Sequence, residues 1–128
     1  MKELPKDPVE RAKALERYKQ GLALYAKGQK FHREQTYDDA NATYNHAMAL
    51  FKDGPKPDIA NSFNSLGNVN LTDDPGTALW YYARALSVRL ADHGQEHETV
   101  ASSYNKGGMA CMKMKEYDRA ITYFVGSL

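Results

Sequence analysis

The sequence predicts an all-α chain built as an array of similar helix pairs, and three observations predict it. A glycine, an alanine and an aromatic residue recur as Gly28, Ala40, Tyr44; Gly67, Ala78, Tyr82; and Gly108, Ala120, Phe124. The glycine-to-alanine gap is 12, 11 and 12 residues, and the glycines lie 39 and 41 apart, a period that denotes stacked supersecondary units. Around these positions apolar and small residues recur at helical spacing, and no strand pattern competes. Glycine inside a helix costs about 1 kcal/mol relative to alanine. Its recurrence at one register therefore implies a packing requirement, two helices approaching closely with an aromatic ring beside the contact.

The elements follow in order. Asp7-Pro8 is an N-cap with a first-turn proline, opening a first helix that is expected to reach about Glu34, with Val9, Ala12, Leu15, Tyr18, Leu22 and Tyr25 on one side. Thr36 is positioned to cap the second helix, with Asp38 and Asp39 in its first turn, and Gly54-Pro55-Lys56-Pro57 ends it. The third helix is expected from about Asp58 to Leu71. Asp74-Pro75 opens the fourth, which continues to about Ala91. Gly94 breaks the chain, the fifth helix runs from about Glu96 to Met114, and Lys115-Glu116 turns into the sixth. The chain divides into a helical extension over 1–20 and three units over 21–56, 57–94 and 95–128, the last of them cut short.

The spacing resembles the tetratricopeptide repeat, whose signature runs aromatic-x2-Leu-Gly-x2-Tyr and then Ala-x3-Phe. Phe63-Asn-Ser-Leu66-Gly67 and Ala120-Ile-Thr-Tyr-Phe124 carry the likeness. The units are longer than the usual 34 residues of that repeat. The stretch His93-Gly-Gln-Glu-His97-Glu98-Thr-Val-Ala101, followed by Tyr104-Asn105, is similar to the inter-repeat segment of kinesin-light-chain-like repeats, with Glu98 where those have proline. The resemblance, which covers about Leu22 to the end, implies a right-handed solenoid of antiparallel helix pairs whose first helices line a concave groove.

Composition narrows the function. The charged fraction is 26% and the formal net charge is +1, so there is no strongly basic face for nucleic acid. No apolar run approaches 18 residues, and the start, Met-Lys-Glu-Leu-Pro-Lys-Asp-Pro, lacks the apolar core of a signal peptide. The single Cys111 rules out an internal disulfide and suits a reducing compartment. A cytoplasmic protein is expected, with no cofactor.

Sharper motifs give way to plainer ones. His93-Gly-Gln-Glu96-His97 spells the His-x-x-Glu-His pattern of certain zinc proteases, which needs both histidines on one rigid helix face. Gly94 sits inside it and the repeat register makes it a loop, so no metal is expected. His32 and His46 fall on different helices without matching partners, and Cys111 takes a slot for a bulky apolar residue, where a thiol acts as a small hydrophobe. No nucleophile, base and oxyanion arrangement can be assembled, and an enzyme is not expected. Asn41-Ala-Thr43 and Asn70-Leu-Thr72 match the glycosylation acceptor pattern by chance.

What remains is the groove. The resemblance places there Tyr25, Gln29, His32 and Arg33; Asn61, Asn64, Ser65, Asn68 and Thr72; and Ser102, Asn105, Lys106, Met109 and Lys113. Asn61, Asn64 and Asn68 form one stripe, and Asn105 repeats Asn64 in the next unit. Asparagine is a mediocre helix former, and its amide both donates and accepts, which suits the backbone of an extended peptide. Amide bonds between neighbouring repeats, or a solvated face, are the alternatives. Met109 and Met112 fall on the groove side and Met114 in the packing. Arg33, Lys106 and Lys113 favour an acidic ligand. The carboxylate clamp of chaperone-binding relatives wants lysine and asparagine where this chain has Tyr25 and Gln29, which argues against a chaperone's acidic tail.

Two functions stay open. One is a non-catalytic module that binds a partner protein's peptide segment in its groove, as a cargo or assembly adaptor. The other is a structural segment of a longer repeat array, or an oligomerisation segment, with no peptide ligand. The sixth helix bears on the second: it has no charged residue after Arg119, with Ile121, Phe124 and Leu128 on one side and Val125 partly off it. Solenoids need a polar outer face on a terminal unit, so a fragment, or self-association through this helix, is expected.

Overall fold

Each helix starts where the chain supplies a cap or a proline. A computed structural model describes residues 6–52, 54–94 and 97–128, with six helices among them: α1 (Pro8–Arg33), α2 (Tyr37–Leu50), α3 (Lys56–Asn70), α4 (Pro75–His93), α5 (Glu98–Lys113) and α6 (Tyr117–Gly126). The Asp7 carboxylate accepts from Val9 N at 3.0 Å to open α1, and Asp74 accepts from Thr77 N at 3.1 Å to open α4. Lys30, His32 and Arg33 occupy the last turn of α1, where positive charge complements the helix dipole.

Several boundaries differ from the sequence expectation. Thr36 does sit at the N-cap of α2, yet its hydroxyl donates backward to Phe31 O at 3.0 Å and caps no N–H of α2. Lys56 and Pro57 belong to the first turn of α3, and α2 ends at Leu50. Proline fits there because a first-turn residue needs no N–H donor. Glu96 lies outside the described residues, and α5 opens after His97, whose Nδ1 accepts from Thr99 N at 3.2 Å.

Helices pair antiparallel, and glycine–aromatic contacts set the pairing. Gly28 meets Tyr44 and Gly21 meets Phe51, so α2 runs back along α1. Gly67 meets Tyr82 in the α3–α4 pair, and Gly107 and Gly108 meet Tyr123 and Phe124 in the α5–α6 pair. A Cβ built on Gly67 would lie 2.4 Å from Tyr82 Cε1, and one on Gly108 2.5 Å from Phe124 Cε1, both closer than real side chains approach. The helices touch because there is no side chain between them.

The core is divided between the seams. Ala40 and Tyr44 of α2 pack with Leu66 and Val69 of α3, and Ala78, Leu79 and Tyr82 of α4 pack with Ala110 and Cys111 of α5. Each first helix of a pair thus closes the preceding pair. Among the described residues the main contacts run between helices adjacent in sequence, with a weak one between α1 and α3, as expected of a solenoid.

Two faces were misplaced by periodicity. On α1 the inward line runs through Tyr18, Gly21, Tyr25 and Gly28, leaving Val9, Leu15 and Leu22 exposed. On α6 Phe124 turns inward onto Gly108, whereas Ile121 points out with Val125 and Leu128. In both helices the pairing contact falls on the glycine or on its aromatic partner, and that contact fixes the rotation.

Candidate peptide-binding face

The expected groove residues come from three helices in equivalent registers. Tyr25, Asn64 and Asn105 each stand three residues before their repeat's glycine; Gln29, Asn68 and Met109 stand one after. Because the pairs stack with a period near 40, residues of α1 meet residues of α3 that lie 40 further on: Tyr18 OH donates to Asp58 Oδ2 at 2.9 Å, and Tyr25 OH lies 2.6 Å from Ser65 Oγ. Gln29, Arg33, Asn61, Asn105, Met109 and Lys113 are exposed, and Tyr25, Asn64, Asn68 and Lys106 are partly buried.

The asparagine stripe is partly committed within the chain. Asn61 Oδ1 accepts from Arg89 Nη2 at 3.1 Å, and Asn68 Oδ1 accepts from Tyr82 OH at 2.6 Å. Both bonds use the carbonyl oxygen, which leaves each Nδ2 with its two donor hydrogens. Asn64 Oδ1 is buried with no partner among the described residues. Asn105 Nδ2 makes a weak contact to Met109 Sδ at 3.9 Å. Tyr25 spends its hydroxyl on α3 and packs its ring 5.3 Å from Tyr44. Met109 and Met112 are exposed, and Met114 packs against the α4–α5 core.

Electrostatically the face is a donor surface. Arg33, Lys106 and Lys113 form no ion pair among the described residues, and with the asparagine Nδ2 groups they present N–H donors along α1, α3 and α5. Such a surface suits carbonyl and carboxylate oxygens.

The buried Arg89 was not anticipated. It is 7% exposed on α4 and reaches three partners: Thr99 O at 3.2 Å, Ser103 Oγ at 2.8 Å and Asn61 Oδ1 at 3.1 Å. Burial pulls its pKa below the ordinary arginine value, with Tyr25 acting the other way. A signal was present: Ala78, Tyr82, Ala85 and Arg89 continue one buried line at spacings of four, three and four. A small cleft beside it is lined by Lys56, Asn61, Asp92, His93 and Thr99. The two asparagines of the glycosylation-like triplets also pair, Asn70 Nδ2 donating to Asn41 Oδ1 at 2.9 Å across the α2–α3 seam. Amide bonds between repeats therefore occur, though not from the stripe residues.

The remaining reactive groups are placed as follows. His93 ends α4 and His97 precedes α5, their rings stacked 3.9 Å apart on either side of the Gly94 break. His32 packs edge-on to Tyr37 at 5.8 Å, and His46 lies on α2. Cys111 is fully buried, and burial pushes its thiol up from its ordinary value, which disfavours the nucleophilic thiolate. Among the described residues no helix is long and apolar enough to cross a membrane.

No protein-family model and no curated protein matches the chain. Among solved structures it is similar to the tetratricopeptide-repeat domain of Arabidopsis FLU, with a TM-score of 0.78 over 87% of this chain and 93% of that one, at 12% identity. Sequence likeness at that level carries no functional residue across, but the shared architecture is plain. The chain has the fold of a tetratricopeptide-repeat domain.

Proposed function

We propose that this chain is a non-catalytic protein-interaction module that binds an extended, acidic peptide segment of a partner protein along α1, α3 and α5. One observation carries the reading: side-chain amides recur at matching registers, Asn64 with Asn105 and Gln29 with Asn68, and cations do so on α1 and α5, Arg33 with Lys113. Gln29, Arg33, Asn64, Asn105, Lys106 and Lys113 are the contacts we assign to the ligand, with Tyr25, Asn61 and Asn68 holding the face in shape and Met109 offering an adaptable apolar contact. A cytoplasmic adaptor for cargo or for assembly is the role such a surface suits.

The test is a peptide array of graded charge probed with the whole domain. Acidic peptides should be retained, and Asn64→Ala with Asn105→Ala should weaken them at least about tenfold, with stability changed by less than about 1 kcal/mol. Among the described residues Asn64 Oδ1 has no partner to lose, which is why stability is expected to hold. Unchanged binding would move the site elsewhere, and a collapse in stability would make the amides structural.

A further inference from the structure

Arg89 is a buried cation whose hydrogen-bond partners are all neutral. It is 7% exposed, and its three bonds go to a carbonyl, a hydroxyl and an amide oxygen. Among the described residues no carboxylate pairs with it. A charge taken out of water is costly unless an opposite charge stands beside it, and neutral acceptors offset only part of that cost. Nη1 bonds two oxygens and Nη2 one, so the Nε hydrogen and one on Nη2 have no partner among the described residues.

Arg89 lines a cleft where the starts of α3 and α5 meet the end of α4. Lys56 stands on the same lining, and Asn61, whose Oδ1 is taken by Arg89, keeps both Nδ2 hydrogens. The positive ends of α3 and α5 add to these donors. The end of α4 is of opposite sign, about half a charge, which Lys56 and Arg89 outweigh. The one acid on the lining, Asp92, pairs with His93 Nε2 at 3.4 Å and not with Arg89.

The size of the cleft selects among anions. Its volume is about 30 Å³, against the roughly 10–15 Å³ that one water needs. Two oxygen atoms fit, as in a carboxylate, whereas the four of a phosphate or sulfate do not. Beside it lies an open depression of about 360 Å³ along α4, lined by Lys56, Ser87, Val88, Ala91 and Asp92, which has room for whatever carries the group.

We propose that this cleft is a carboxylate-binding site, in which the Arg89 guanidinium is the buried cation and Asn61 Nδ2 and Lys56 Nζ complete the donor set. Its cation comes from the second helix of a pair, outside the registers of α1, α3 and α5 assigned to the peptide. The inference is therefore independent of that reading. An aspartate or glutamate of a protein segment and a free small carboxylate share the required chemistry.

NMR titration of the whole chain tests it, with acetate, phosphate and chloride compared at equal ionic strength. Acetate should saturably shift the Arg89 Nε–H, Asn61 side-chain and Thr99 amide signals, with a dissociation constant of about 10 mM, the strength of one charge-assisted bond. Phosphate and chloride should not. Asn61→Asp supplies a carboxylate from within, so the melting temperature should rise and the acetate response vanish. Lys56→Glu, at an exposed position, should leave the melting temperature as it was and weaken acetate. A capped peptide with one glutamate that binds at least about tenfold more tightly than acetate assigns the site to a protein segment. Equal binding assigns it to a free carboxylate, and either result supports the site. No saturable shift with acetate, an equal response to phosphate or chloride, or an acetate response that survives Asn61→Asp would each overturn the proposal.

Discussion

Gly67 shows what one residue decides in this chain. It allows Tyr82, a fully buried ring, to lie flat against α3, and Tyr82 OH then donates to Asn68 one residue further on. A methyl at Gly67 would meet three ring atoms at 2.4–2.9 Å, with no flexible side-chain end to give way. Gly67→Ala is expected to destabilise the domain by about 1–3 kcal/mol, the usual cost of overpacking, despite alanine's better helix propensity. Chemical denaturation measures it, and most of the loss should vanish in a Tyr82→Leu background. A wild-type midpoint for Gly67→Ala would mean that the ring does not need the space.

At the scale of elements, Arg89 joins three helices, α3, α4 and α5, through side-chain hydrogen bonds at one place. From α4 it bonds Asn61 at the start of α3 and Thr99 and Ser103 at the start of α5, so its loss should be felt first at the α4–α5 seam. Arg89→Ala is expected to cost about 3 kcal/mol, in keeping with charged hydrogen bonds broken in a buried site. Amide exchange should accelerate in α5 and α6 more than in α1 and α2; uniform acceleration would place the effect elsewhere. The turns tell a second story at this scale. In repeats one and three a residue of positive φ stands two past the end of the first helix, Gln35 at 62° and Lys115 at 60°, and Leu71 directly after α3 stays helical at −55°. Thr36 N and Glu116 N then reach back to Phe31 O and Cys111 O, a Schellman-type closure. The gap of 11 in the second repeat has another cause: α3 ends three residues after Gly67, where α1 and α5 run five past Gly28 and Gly108, and its longer turn makes up only one of the two. The gap was legible; the positive-φ turns were not, because neither Gln35 nor Lys115 is the glycine that such a conformation favours.

For the whole molecule, buried tyrosines set a limit at alkaline pH. Burial, with Tyr25 as the lesser cause, pushes Tyr44 up from 10.0 to about 12, and burial pushes Tyr82 up as well. Below pH 10 both rings keep their protons folded or unfolded, and stability is fully present. Above it the unfolded chain releases protons that the folded chain retains, so stability falls by about 1.4 kcal/mol per pH unit for each ring until the folded value is passed. Urea unfolding at about pH 9 and about pH 11 should show this loss, and Tyr44→Phe should reduce it by one ring's share. Equal stability at the two pH values would mean that the rings ionise as readily in the folded chain. Because the repeats contribute through nearest-neighbour seams, the loss should spread from the α1–α2 and α3–α4 pairs that hold these rings.

The sequence by itself determined the class of fold, the number of helix pairs and the contacts that hold each pair. Glycine, alanine and aromatic at a fixed spacing have one common packing solution, and a recurring local cost needs a recurring local benefit. It also indicated which registers of α1, α3 and α5 belong together, since a period near 40 stacks equivalent positions. Only the tertiary structure decided which side of α1 and α6 turns inward, because amphipathic spacing tolerates a rotation that the glycine contact does not. It alone separated the asparagines, spending Asn61 and Asn68 on Arg89 and Tyr82 and leaving Asn64 Oδ1 without a partner among the described residues, and it alone buried Arg89. Those outcomes depend on which side chains from distant segments arrive beside an amide or a guanidinium, and hydrogen-bond partners brought together by folding leave no fixed spacing in the chain.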